Sequence, residues 1–120
     1  MAIKSSLYNI RAKLLELSQG DFVQERKLAN QYFKSFQDLR DLYAVSLINQ
    51  DKRLLFFVYE KYKPTLQLLD LSELAKEIQA TLDHVKQLNS GVSVDKSATK
   101  VKNCCDQLIR QLQLHYTWLN

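Results

Sequence analysis

Residues 29–48 read ANQYFKSFQDLRDLYAVSLI, and this stretch decides the fold. Its apolar residues recur at alternating intervals of three and four, which places them on one side of an α-helix. The stripe consists of Ala29, Tyr32, Phe36, Leu39, Tyr43 and Leu47, and it is widened by Phe33 and Ile48. Because such a stripe is typical of a helix packed against other helices, the segment predicts a long bundle helix.

The same pattern weakens at residues 49–53, NQDKR, and resumes with Leu54, Phe57, Val58 and Tyr62. A helix that continued unbroken to Lys63 would be about 60 Å long, too long for a compact domain of this size. We therefore predict a break near Asn49.

Residues that begin and end helices divide the rest of the chain. Gly20 ends a first helix over about residues 5–18, and Asp21 caps the second, with Gln24 placed for a capping box. Pro64 disfavours helix at the residue before it. The remaining expectations are that Asp70 caps a further helix together with Glu73, and that Asp95 caps the last helix, whose inward side carries Val101, Cys105, Leu108, Leu112, His115 and Leu119.

The composition agrees with helices throughout. Hydrophobic residues make up 46% of the 120 residues, which is enough for a core, and only two glycines and one proline are present. Since β-rich folds need turns built on glycine and proline, we predict an all-α fold. The predicted architecture is an up-down antiparallel bundle of four to five helices, with residues 1–120 forming a single domain.

Several functional classes receive no support from the sequence. The longest aliphatic and aromatic run, residues 54–58, is far shorter than the roughly 20 residues that a transmembrane helix needs. Cys104 and Cys105 are neighbours on one helix, so they cannot easily bridge each other, and a reducing, cytoplasmic location is expected. Glu-x-x-His pairs are absent, and we expect neither a metal nor a cofactor.

Large apolar residues outside the packed stripes are the main functional signal. Tyr8, Phe56, Tyr59 and Trp118 fall off the stripes or at their edges. Tyrosine and tryptophan are residue types that protein interfaces use as anchors. We therefore predict a non-enzymatic, protein-binding module that resembles adaptors, chaperones and inhibitor or immunity proteins only in fold and size. Its partner is another protein or a second copy of the chain.

Nucleic-acid binding is the alternative, because the formal net charge is +4. The candidate residues for this function are Lys52, Arg53, Lys96, Lys100 and Arg110. If they share one surface, binding should weaken steeply with salt, as expected for contacts to phosphates.

The segment Arg110-Gln111-Leu112-Gln113-Leu114-His115 gives this alternative a sharper form. An arginine and a histidine separated by four residues on a late helix resemble the Arg-x4-6-His motif of the helical RNases called HEPN domains. The resemblance covers these six residues, and Gln111 departs from the small polar residue or histidine that usually follows the arginine. It implies RNA cleavage without metal, with Arg110 and His115 lining a dimer cleft.

Overall fold

Five α-helices make up the computed structural model, which describes the backbone of residues 10–88 and 94–119 and the side chains of residues 10–83 and 96–119. The helices are α1 (Ile10–Ser18), α2 (Phe22–Ile48), α3 (Lys52–Leu68), α4 (Ser72–Leu88) and α5 (Val94–His115). The described residues contain no strand, which confirms the predicted all-α class. Positions 5–9 of the predicted first helix lie outside this description.

The four longer helices pack in a closed ring, in which α2 contacts α3, α3 contacts α4, α4 contacts α5 and α5 contacts α2. The shorter α1 lies against α2 and α5. Three-residue links, 19–21, 49–51 and 69–71, join the first four helices. Because links this short force neighbouring helices to run antiparallel, the architecture is the predicted up-down bundle.

The predicted break near Asn49 is confirmed. Gln50 adopts a left-handed conformation with φ 51°, and the amide of Asp51 donates to the carbonyl of Ser46 at 2.8 Å, closing the end of α2. The Asp51 carboxylate then accepts from the amide of Leu54 at 3.0 Å and begins α3. Asp21 caps α2 in the same way, as predicted, accepting from the amide of Gln24 at 3.0 Å.

The turn between α3 and α4 corrects two expectations. Pro64 lies inside α3, which continues to Leu68. The proline occupies the exposed side of the helix, where water can replace the backbone hydrogen bond that it removes. Asp70 is not a helix cap, because it has φ 57° and belongs to the end of α3, where the amide of Leu71 donates to the carbonyl of Leu66.

One hydrophobic core contains side chains from all five helices. The six residues of the α2 stripe are all buried, as predicted, and so is Phe33. Ile48 and Phe57 are exposed, contrary to expectation. Ile48 is the last residue of its helix, and α3 presents a different stripe to the core: Leu55, Val58, Tyr62 and Leu66. This stripe turns Phe57 outward.

The last helix begins at Val94, so Asp95 lies within its first turn and is not the cap that the sequence predicted. The predicted inward residues of α5 are buried apart from His115, which is exposed. Because α5 ends at His115, the chain leaves the helix there. Tyr116 and Leu119 fold back to fill the end of the core in its place.

A chain of buried hydroxyl groups joins three helices. Tyr43 Oη on α2 and Thr81 Oγ1 on α4 lie 2.6 and 2.7 Å from Ser97 Oγ on α5, and Thr81 also donates to the carbonyl of Glu77. Burial raises the pKa of Tyr43 against the lowering effect of its bond to Ser97. Buried polar groups are costly unless they are paired, so this chain favours one register of the three helices.

Ser97→Ala should lower the free energy of unfolding by about 1–3 kcal/mol, because it leaves the buried Tyr43 hydroxyl without its partner. Adding Tyr43→Phe removes that orphaned hydroxyl, so the double variant should lose less than the sum of the two single variants. A double-mutant cycle measured by urea unfolding tests this, with Ser35→Ala as a control hydroxyl that bonds only within its own helix. Additive losses would contradict the coupling.

Candidate protein-binding surface

The structure separates the residues that the sequence singled out for protein binding. Phe56 is exposed in the second turn of α3, whereas Tyr59 is half-buried and packs against the core. Trp118 is exposed beyond the end of α5, close to the start of α2. Since α3 begins beside the other end of α2, Phe56 and Trp118 lie at opposite ends of the bundle. Tyr8 lies outside the described residues.

At the Trp118 end, three side chains stack into an exposed group that we call the aromatic cluster: Phe22, Arg26 and Trp118. The Arg26 guanidinium lies 4.7 Å from the Trp118 ring centre and 5.8 Å from the Phe22 ring centre. Phe22 is 65% exposed and Trp118 is 39% exposed. Arginine placed over aromatic rings in this way contributes about 0.5–1 kcal/mol per contact at exposed sites.

Trp118 is fixed in place by contacts on two further sides. Its Nε1 donates to Asn30 Oδ1 at 3.2 Å, and its ring meets Tyr116 edge to face at a centroid distance of 5.3 Å. Asn30 lies one helical turn beyond Arg26 on α2. The tryptophan ring therefore lies along the first turns of α2 with part of its surface open to solvent.

Tyr116 ties this end of the chain to the bundle. Its hydroxyl donates to Glu25 Oε2 at 2.5 Å, joining the segment after α5 to the first turn of α2. Burial raises the pKa of Tyr116, and the hydrogen bond to Glu25 raises it further, while the nearby Arg11 of α1 lowers it. The aromatic cluster therefore lies next to Tyr116, whose hydroxyl group brings the C-terminal segment together with α2 and lies near α1.

Sequence reasoning missed Arg26 and Asn30, although one signal for them was present. Phe22, Arg26 and Asn30 are spaced four residues apart, so they form one row on α2. Nothing local indicates that Trp118 packs on this row, since the contact joins residues that are far apart in the chain.

The basic residues predicted to bind nucleic acid are all exposed. Lys52 and Arg53 begin α3, and Lys96 and Lys100 lie in the first two turns of α5. Lys100 forms an ion pair with Glu77 at 3.7 Å. Arg110 lies ten residues beyond Lys100 on the same helix, about 15 Å away along its axis. The structure therefore leaves Arg110 apart from the other four residues.

Arg110 and His115 of the HEPN-like motif are both exposed near the end of α5. Five residues of helix turn through about 500°, so their side chains project about 140° apart around the axis. Within one copy of the chain they consequently leave the helix in different directions. RNA cleavage by this pair stays a prediction.

Both thiols are buried, and burial raises the pKa of Cys104 to about 11 and that of Cys105 still further. Cysteines act as nucleophiles or metal ligands in the thiolate form, which these surroundings disfavour. Within the described part of the chain, no group of three or more histidine, cysteine, aspartate and glutamate side chains could hold a metal ion.

Comparisons with known proteins found no matching family model, no matching curated protein and no matching solved structure. Over residues 10–88 and 94–119, none of the helices combines the length and apolar character that crossing a membrane requires.

Proposed function

We propose that the chain is a non-enzymatic, cytoplasmic protein-binding module that acts as an adaptor, chaperone or inhibitor. Its binding surface is centred on the aromatic cluster of Phe22, Arg26 and Trp118. The observation that carries this proposal is the stacking of two exposed aromatic rings on one exposed arginine. Tryptophan and arginine are enriched among the residues that contribute most to binding energy at protein interfaces.

The cluster is also preorganised. Trp118 is held by Asn30 and Tyr116, so little side-chain freedom remains to be lost when a partner binds. Val23, the next residue of α2, is also exposed. A partner that covered these side chains would remove apolar surface from water without reorganising the bundle.

Phe22→Ser should abolish capture of the partner while leaving the bundle folded, because Phe22 is 65% exposed and outside the core. The measurement is a pull-down of the tagged chain from a lysate of its own cells, followed by mass spectrometry. Phe57→Ser is the matched control, since Phe57 is an exposed phenylalanine in the first half of α3, which begins beside the other end of α2. Circular dichroism should give the same helix content for both variants.

The same pull-down tests the nucleic-acid alternative when it is repeated with nuclease. A stoichiometric protein that survives nuclease, and is lost with Phe22→Ser alone, supports the proposed surface. Recovery of proteins that disappear with nuclease would contradict it and direct attention to the basic residues of α3 and α5. Equal recovery with both variants would show that the aromatic cluster is not the binding surface.

A further inference from the structure

The outer face of α2 carries a second regular stripe on the side opposite the core. It runs from Val23 to Ile48 at intervals of three and four, and every member is exposed. Its apolar members lie at the two ends: Val23 is 61% exposed at one end, and Val45 and Ile48 are 43% and 79% exposed at the other. Seams of this spacing are the ones along which two helices pack. No other helix of the described bundle packs against this stripe of α2.

Charges divide the middle of the stripe into two halves. Lys27, Asn30 and Lys34 occupy the half nearer the start of α2, and Asp38 and Asp41 occupy the other half. Among the described residues, Lys27, Lys34 and Asp38 form no ion pair, and Asp41 pairs only with its neighbour Arg40. Lys34 and Asp38 are four residues apart, but a lysine that precedes the acid is the less favourable order for pairing within one helix.

The stripe is complementary to itself when it is reversed. In a second α2 placed antiparallel about a twofold axis level with Phe36, Lys34 faces Asp38 of the second copy, and Asp38 faces its Lys34. Asn30 likewise lies close to Asp41, and Val23 lies close to Ile48. Lys27 lies opposite Val45, so only the aliphatic part of the lysine side chain can pack on that residue. A twofold axis makes every contact occur twice, so both ion pairs and both apolar contacts are formed together.

We infer that the outer face of α2 binds a second copy of this chain, forming an antiparallel, twofold-symmetric dimer. The stripe is about 38 Å long, so the contact extends along nearly the whole helix. This inference deepens the proposed function by naming the partner, and it rests on the aromatic cluster being a contact surface. Trp118 donates a hydrogen bond to Asn30, which is a member of the stripe. The aromatic cluster therefore lies beside the end of the stripe that would contact Ile48 of the second copy.

The two apolar groups that lie at opposite ends of one bundle then become halves of one interface. The end with Val23 and Lys27, which the aromatic cluster adjoins, meets the end with Val45 and Ile48 of the second copy. These apolar residues are exposed in the single bundle and would become buried in the dimer. The central lysine and aspartate pairs fix the direction and register, because a parallel arrangement would place like charges opposite each other.

Charge reversal tests this arrangement. Lys34→Asp places two aspartates opposite each other at each central contact, and Asp38→Lys places two lysines there, so each variant alone should weaken the dimer by at least about tenfold. When the two variants are mixed, every central contact is again between opposite charges, and a mixed dimer should form. Sedimentation over a range of about 1–100 μM chain measures the dimer Kd of the parent, of each variant and of the mixture, with a parent Kd of about 1 μM expected. Lys76→Asp on α4 and Glu60→Lys on α3 are controls with the same charge changes on exposed sites.

A dimeric parent, two variants whose Kd is raised at least about tenfold and a mixture that regains the parent's Kd would support the inference. The mixture also shows that both variants are folded. A parent that is monomeric at about 100 μM chain would overturn it. A parent dimer that survives both charge reversals would also overturn it, because the dimer would then use another face. The proposed function can be distinguished from this inference. If the chain is a monomer that still captures a different protein through Phe22, the proposed function holds and only the second copy is excluded as the partner.

Discussion

Phe36→Ala is expected to lower the free energy of unfolding by about 3–5 kcal/mol, the usual cost of truncating a buried phenylalanine. Phe36 lies at the middle of α2, the longest helix, and its side chain is almost completely buried. Truncation removes the transfer energy of the ring and leaves a cavity that close-packed neighbours can fill only in part. Because domains of this size are stabilised by only about 5–15 kcal/mol, the variant should be close to unfolding at room temperature.

Urea unfolding followed by circular dichroism measures this loss, and Phe36→Leu supplies a milder change if the alanine variant does not fold. The matched control is Phe57→Ala, since Phe57 is a half-exposed phenylalanine on the outer side of α3. The control should change stability by no more than about 0.5–1 kcal/mol, including its contact with Lys61. Equal losses at the two positions would show that the core is not centred on the α2 stripe.

The position of Phe36 illustrates why much of this fold could be predicted from the sequence. Hydrophobic spacing reports which side of a helix is buried, and the α2 stripe is long enough for that signal to be unambiguous. Helix starts were predictable where a side chain caps the backbone, as at Asp21. The break near Asn49 was predictable because the hydrophobic stripe fades there.

Expectations failed where tertiary packing overrides a local rule. Pro64 stays within α3 because it lies on the solvent side. Asp70 takes a left-handed conformation and its carboxylate pairs with Lys13 of α1 at 2.5 Å, so it does not cap α4. His115 fits the inward spacing of α5, yet the helix ends there and Tyr116 takes its place.

The candidate surface was less predictable than the core for a related reason. Trp118 was predicted to be an anchor from its residue type and its position off the packed stripes. Its contacts with Arg26 and Asn30 could not be predicted, because they join distant parts of the chain. The outer stripe of α2 has the same spacing as a core stripe, but half of its members are charged. Spacing alone does not distinguish a solvated face from an interface, and the charge order becomes informative only once the face is known to be exposed.

Alkaline pH is expected to unfold the protein through its buried thiols. Burial raises the pKa of Cys104 to about 11, and that of Cys105 further, from an ordinary value near 9. Below about pH 7.5 the thiols are almost fully protonated in both states, and their contribution to stability is fully present. As pH rises, the unfolded chain ionises first, so each thiol costs up to about 1.4 kcal/mol per pH unit until the folded thiol also ionises.

The two thiols together should remove about 3–4 kcal/mol between pH 7.5 and about pH 10.5. Tyr43 and Tyr116 add to the loss above about pH 10, because burial raises the pKa of each. Urea unfolding at a series of pH values, with a reductant present to prevent oxidation, gives the dependence directly. A domain of ordinary stability should therefore approach its unfolding midpoint in water by about pH 11.

Cys104→Ala/Cys105→Ala isolates the part that belongs to the thiols. The double variant loses some packing at every pH, so the informative quantity is the slope of stability against pH and not its absolute value. Between about pH 9 and pH 10.5 the slope of the parent should exceed that of the variant by up to about 2.7 kcal/mol per pH unit, since two buried groups no longer titrate. The tyrosines are the same in both proteins and cancel in this comparison. Parallel curves would mean that the thiols ionise as readily in the folded chain as in the unfolded one, and would contradict the expectation drawn from their burial.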